Sequence, residues 1–162
     1  MKDRLDAIRK KLEEEINEAR HEYEVDLPLR IEEARSKGDL SENAEYESAK
    51  ERQAYLAVYI TQLQHRYTKL SSINLDDVDK TSVGLYSLVN LEEVDSGRKY
   101  AYELVLAEEM DIKKGMISIL SPIGQQLRGA KAGEVVTLKT PARTFDVKVH
   151  GFTNILGERF DA

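Results

Sequence analysis

The sequence predicts an α+β protein. Residues 1–72 form an N-terminal antiparallel α-helical coiled-coil hairpin, 73–80 a linker, and 81–162 an antiparallel sheet with a short helix. Three observations predict it. A narrow apolar stripe recurs at steps of three and four through the first part of the chain. Short β-branched and aromatic runs, separated by turn residues, fill the last part. Between them, Ile-Asn-Leu-Asp-Asp-Val-Asp-Lys over 73–80 is acidic and aperiodic and reads as a connection.

In the first helix, Leu5, Ile8, Leu12, Ile16, Ala19, Tyr23, Leu27, Ile31 and Ala34 make the stripe. In the second, Tyr46, Ala49, Gln53, Leu56, Ile60, Leu63, Tyr67 and Leu70 alternate by three and four. A stripe this narrow and this sustained is the seam of a coiled coil. The residues between are mostly Glu, Lys, Arg and Gln, a solvated face. At 1.5 Å per residue each helix runs roughly 45–50 Å. The connection over 36–40 is short, so the helices are antiparallel neighbours. Pro28 falls inside the first helix. It removes a hydrogen bond and crowds the preceding turn, at about 3 kcal/mol, and the stripe continues beyond it, so a kink is expected there.

In the second part, strands are expected over 81–92, 99–107, 116–120, 135–140 and 143–152, divided by Asp95-Ser96-Gly97, Lys114-Gly115, Ala132-Gly133 and Pro141. Ser121-Pro122 is a helix start, with Ser as N-cap and Pro in the first turn. That helix is expected to run to about Leu127 and stop at Gly129.

Composition narrows the function. Among 162 residues, 30 Asp and Glu outnumber 24 Lys and Arg, for a net charge of −6. Broad electrostatic binding to nucleic acid needs the opposite balance, although a local basic patch remains compatible. No apolar run approaches the ~18 residues of a membrane span, and the charged N-terminus shows no secretory core. The chain has no cysteine, which excludes disulfides and thiolate metal sites and fits a reducing cytoplasm.

The chemistry concentrates at Gly38-Asp39-Leu40-Ser41-Glu42-Asn43-Ala44-Glu45-Tyr46, at the turn of the hairpin. Asp39 and Glu42, three residues apart at a helix start, lie near one another. A carboxylate pair suits a divalent metal, but Mg²⁺ wants six oxygens. Two acids on an exposed tip therefore make half a site, completed by a partner. The other reading is a capping box at a helix N-terminus. From Arg30 to Arg52 there are five basic residues (Arg30, Arg35, Lys37, Lys50, Arg52) among seven acidic ones. Arg35 and Lys50, at comparable depth, suit a phosphate backbone; ion pairs along a solvated face are the bland alternative. His21, His65 and His150 lack metal-ligand spacing to one another. No nucleophile elbow and no phosphate-cradling glycine loop appear.

The tip segment, from Glu33-Ala34-Arg35-Ser36-Lys37-Gly38-Asp39 through Tyr46 and on to Ala49-Lys50-Glu51-Arg52-Gln53, resembles that of the bacterial Gre transcript-cleavage factors, GreA type. Ser118-Ile119-Leu120-Ser121-Pro122-Ile123-Gly124, with Leu127, Gly129, Gly133 and Val135-Val136, is similar to the family's C-terminal signature. The resemblance covers nearly the whole chain. Its departures are an N-terminus without the family's usual Thr-containing opening and a chain that continues past Phe152 to Ala162.

The resemblance implies an FKBP-like fold for the C-terminal domain, docked at the rim of the RNA polymerase secondary channel, with the coiled coil inside that channel. It implies that Asp39 and Glu42 act in the partner's active site. There they help hold a second Mg²⁺, shared with the polymerase and not held alone, during hydrolysis of backtracked RNA. Ser41 orients water or caps the helix. Arg35, Lys50 and Arg52 are the implied contacts to the backtracked RNA 3′ segment. Ser121, Pro122, Ile123 and Gly124 are the candidate polymerase contacts, Ile123 and Leu127 being equally readable as core. The implied protein is a cytoplasmic monomer, inactive as an enzyme by itself. Rival readings are a Gre-like polymerase inhibitor on the same scaffold, a prolyl isomerase, and a coiled-coil oligomerisation protein. The isomerase needs convergent aromatics, and the C-terminal half has no Trp.

Overall fold

The apolar stripe becomes the seam of a helical hairpin. In the computed structural model, which describes residues 1–38 and 40–162 except for the side chains of 40–42, the chain divides into two compact units, 2–73 and 74–162. The first contains α1 (Lys2–His21), a π-helical segment (Glu22–Asp26), α2 (Leu27–Lys37) and α3 (Leu40–Ser71). Both α1 and α2 pack on α3. Leu5, Leu12, Ile16, Ala19, Leu27 and Ala34 are buried on one side of the seam, and Ala49, Leu56, Ile60 and Leu70 on the other. Gly38 ends α2 at φ 73°, the left-handed conformation that favours glycine after a helix. At the base, Arg9 of α1 closes the far end of α3: its Nε and Nη2 donate to Leu70 O at 3.1 and 2.7 Å, and Nη2 also to Ile73 O at 3.2 Å. A cation on the last carbonyls of a helix also favours its dipole.

The irregularity expected at Pro28 lies upstream of it. Pro28 lies two residues past the π segment in a chain that stays helical across the join, so its ring and missing N–H fall against the wider turn. The turn before it is π-helical, with Leu27 N–H donating to Glu22 O five residues back. The reason is phase. From Ala19 through Tyr23 and Leu27 to Ile31 the stripe advances by four residues three times running. At 3.6 residues per turn each such step overshoots by about 40°, so an unbroken α-helix would carry the stripe about 120° off the seam. A wider π turn absorbs the surplus residue.

The second unit holds β1 (Leu88–Glu93), β2 (Lys99–Val105), β3 (Met116–Ser118), α4 (Pro122–Leu127), β4 (Val135–Lys139), β5 (Thr144–Thr153) and β6 (Arg159–Asp161). The strand order is β3-β2-β1-β5-β4, with β6 added to β5. Every pairing is antiparallel except β2 with β3, which is parallel. The sheet is therefore mixed rather than purely antiparallel, because residues 106–115 do not form a hairpin. They coil through two 3-10 turns, Ala107–Glu109 and Ile112–Lys114, and return the chain in the same direction.

The run 81–92 becomes a strand only from Leu88. Tyr86, at φ 62°, takes the chain out of the extended region. The strand β6 was not expected. Phe160 stacks on Phe152 with ring centroids 4.8 Å apart. Gly151 permits the approach, since a Cβ there would stand 2.5 Å from Phe160 O. Val89, Leu91, Leu104, Leu138, Val147, Val149 and Phe152 form the core, closed by Leu127 of α4.

Two side chains order the ends of this unit. Buried Asn154 donates to Lys80 O at 2.8 Å and accepts from Leu156 N and Glu158 N, both at 2.9 Å. Asp79 accepts from Ser82 Oγ at 2.6 Å and from the amide and hydroxyl of Thr81, both at 2.8 Å. Those donors, Ser82 first, lower the Asp79 pKa from 3.8 to about 2. A carboxylate with a depressed folded-state pKa stabilises fully above its unfolded value and loses that contribution as pH falls through the folded one. Part of the acid destabilisation between about pH 4 and pH 2 is therefore assigned to Asp79. Denaturant unfolding of Asp79→Asn across that window should show a shallower pH dependence than the parent.

Candidate functional site

The tip is delivered by the last turn of α2 and the first turns of α3. Asp39 lies outside the described residues, as do the side chains of Ser41 and Glu42. The supporting residues around them are described. Arg35 is exposed and directly follows buried Ala34. Lys50 is exposed, directly follows buried Ala49, and donates to Gln53 Oε1 at 3.2 Å. In an antiparallel pair of right-handed helices, the residue after a seam residue projects to the same flank from both helices. Arg35 and Lys50 therefore share one flank.

Arg52 does not join them. It precedes the seam residue Gln53 and projects to the opposite flank. There its Nε and Nη2 donate to the two carboxylate oxygens of Glu22, at 2.7 and 2.9 Å. This fork lowers the Glu22 pKa, chiefly through the hydrogen bond from Arg52, and raises that of Arg52 in return. The Arg52 guanidinium lies 5.2 Å from the centroid of the Tyr55 ring. Tyr55 stacks on Tyr59, with centroids 5.7 Å apart and planes 13° from parallel. The Tyr59 hydroxyl donates to Glu15 Oε1, and that bond raises its pKa. Glu15, Glu22, Tyr55 and Tyr59 were not among the candidate residues. Their signal is positional, since each directly precedes a stripe residue: Ile16, Tyr23, Leu56 and Ile60.

In the second unit, Ser121 is the N-cap of α4, accepting from Gly124 N at 3.1 Å. Pro122 is exposed, as is Leu120 before it, whereas Ile123 is half-buried against the core and Leu127 is fully buried. Gly124 is buried, and a Cβ on it would lie 2.2 Å from Ser118 O and 2.9 Å from Ile119 Cα. Of the four candidate contacts, Ser121, Ile123 and Gly124 thus have packing or capping duties, and Pro122 has the freest surface. Elsewhere in the sheet, buried Glu93 is satisfied by Arg143, at 3.3 and 2.5 Å, and by Ser96 at 2.8 Å. His150 meets Glu92 at 2.5 Å. Among the described residues no three His, Asp or Glu side chains converge to hold a metal, and no helix is long and apolar enough to cross a membrane.

The hairpin and the mixed sheet each match a family model, and both models describe transcription elongation factors. Residues 5–71 match the family model "Transcription elongation factor, N-terminal", and 78–154 match "Transcription elongation factor, GreA/GreB, C-term". The chain belongs to the GreA/GreB family of transcription elongation factors. It is 38% identical to transcription elongation factor GreA of Streptococcus gordonii, over 88% of this chain and 89% of that one. It is also 38% identical to the GreA of Amoebophilus asiaticus, over 86% and 88%. The crystal structure of GreA factor homolog 1 of Thermus thermophilus covers 89% of this chain and 93% of its own at 23% identity. Its TM-score of 0.40 is too low to support residue correspondences.

Proposed function

We propose that this protein binds bacterial RNA polymerase and stimulates the polymerase's own cleavage of backtracked RNA. One observation carries the reading: in the sequence, Asp39 and Glu42 fall where α2 gives way to α3, in a hairpin that matches the family's N-terminal model. The α3 helix, 32 residues long, extends about 48 Å at 1.5 Å per residue. That length lets side chains reach a catalytic centre deep inside a large enzyme.

The donor set fits Mg²⁺. Two carboxylates are hard oxygen ligands, too few to hold the ion alone and suited to completing a shell whose other ligands belong to the polymerase. Bound there, the ion supplies an activated water and charge neutralisation for phosphodiester hydrolysis. Asp39 and Glu42 raise its occupancy. Arg35 and Lys50, on their shared flank, hold the displaced RNA 3′ segment by its phosphates. Pro122 and Leu120, exposed at the start of α4, are the apolar surface offered by the globular unit to the polymerase rim. The protein then works as a monomer in the cytoplasm, beside its polymerase, and catalyses nothing by itself. The isomerase and oligomerisation readings leave the tip residues without a role.

The test is a stalled, backtracked polymerase complex carrying end-labelled RNA, incubated with Mg²⁺ with and without the protein. Faster release of a 3′ fragment supports the reading. A protein that slows both cleavage and elongation is instead the inhibitor on the same scaffold.

A further inference from the structure

We propose that Glu22 and Arg52 are positioning residues: their fork straps one flank of the hairpin at the π segment and sets the rotation at which the tip presents its acids. This inference rests on the cleavage function proposed above. The π segment is where the first strand of the hairpin is least regular, and Glu22 is its first residue. On the first strand of the hairpin α2 reaches the tip through that joint, and the fork ties the joint to α3, which runs unbroken from Leu40 to Ser71. The fork crosses from this residue to α3 with both carboxylate oxygens engaged.

Below the fork, Tyr55 and Tyr59 continue the strap along α3, and Tyr59 returns it to α1 at Glu15. The five residues lie on a single flank because each precedes a seam position by one. The arrangement leaves the other flank, with Arg35 and Lys50, to face RNA. A planar guanidinium that forks a carboxylate while lying over a tyrosine ring is specified by shape, and lysine does not reproduce the fork.

This separates two roles for Arg52. A phosphate contact tolerates Lys, because charge is what matters there. A strap does not. Arg52→Lys should keep the half-saturating factor concentration and lower the cleavage rate at saturating factor, roughly tenfold or more, as small misplacements of reacting groups do. Glu22→Gln, which leaves one oxygen to accept, should give a smaller loss of the same kind. The exchange Glu22→Arg with Arg52→Glu restores a charged fork with its polarity reversed and should recover most of the rate.

The pair is exposed, so these variants should melt with the parent. If one does not, the Glu22→Gln rate measured below its melting range decides. Normal cleavage by Arg52→Lys overturns the inference. So does an inactive charge exchange, which assigns Arg52 to RNA. If the parent itself stimulates no cleavage, it is the functional reading that fails, and the variants are not needed to show it.

Discussion

Alanine at Asp39 or at Glu42 is expected to abolish the proposed stimulation of cleavage while leaving association with polymerase intact. The expectation follows from charge and ligand count. Each substitution removes one of the two hard oxygen donors that the tip contributes. The globular unit, proposed above to dock, and the seam are untouched. If the acids act as proposed, by raising occupancy of an ion that the polymerase also ligates, the loss should be partly recovered at high Mg²⁺. If the two residues served only to cap α3, the same substitutions would cost about 1 kcal/mol of helix stability and leave cleavage near normal. A titration of Mg²⁺ against cleavage rate for the parent and both variants distinguishes these. Two near-normal variants would remove the proposed roles.

Gly124→Ala is expected to destabilise the globular unit heavily. The added methyl meets Ser118 O at 2.2 Å and Ile119 Cα at 2.9 Å, both backbone atoms. No side chain can swing aside, so either α4 or the end of β3 has to move. Overpacking of this kind costs about 3 kcal/mol at the upper end of its usual range. For a domain of this size each kilocalorie lowers the melting temperature by roughly 4–8 °C, so a drop of about 12–24 °C is expected. Pro122→Ala, which adds no atom to the crowded contact, should melt close to the parent. A Gly124→Ala protein with parental melting would show that the close approach relaxes freely and that the glycine serves something other than packing.

The hairpin was legible because a seam writes its period into the sequence. Every stripe residue from Leu5 to Ala34 is buried or half-buried. The π turn leaves a trace in the three successive four-residue steps from Ala19 to Ile31, whereas the kink expected from Pro28 is placed two residues past its end. The α4 start at Ser121-Pro122 was readable from local capping chemistry and is where it was expected. What local pattern does not hold is pairing direction. Met116–Ser118 has the residues of a strand, and only the coiling of 106–115 decides that it runs parallel to β2.

The run 81–87 is rich enough for a strand by composition, and the left-handed Tyr86 overrides it. The β6 strand alternates Arg-Phe-Asp too briefly to announce itself. At the site, the two acids rest on the tip motif alone, while the separation of Arg52 from Arg35 and Lys50 follows from counting one residue either way from the seam. Composition alone groups the three.

The short strand at Arg159–Asp161 has a practical consequence for anyone trimming the protein to its family boundaries. The matched region stops at residue 154, so a chain cut there keeps β5 paired with β1 and β4 but loses β6 from the other side of its last three residues. Gly151, Phe152 and Thr153 would then present unpaired backbone groups along an open rim, with the Phe152 ring stripped of its stacking neighbour. A bared edge beside an exposed aromatic invites the same edge of another molecule. The shortened protein should precipitate or dimerise at a lower concentration than the 162-residue chain.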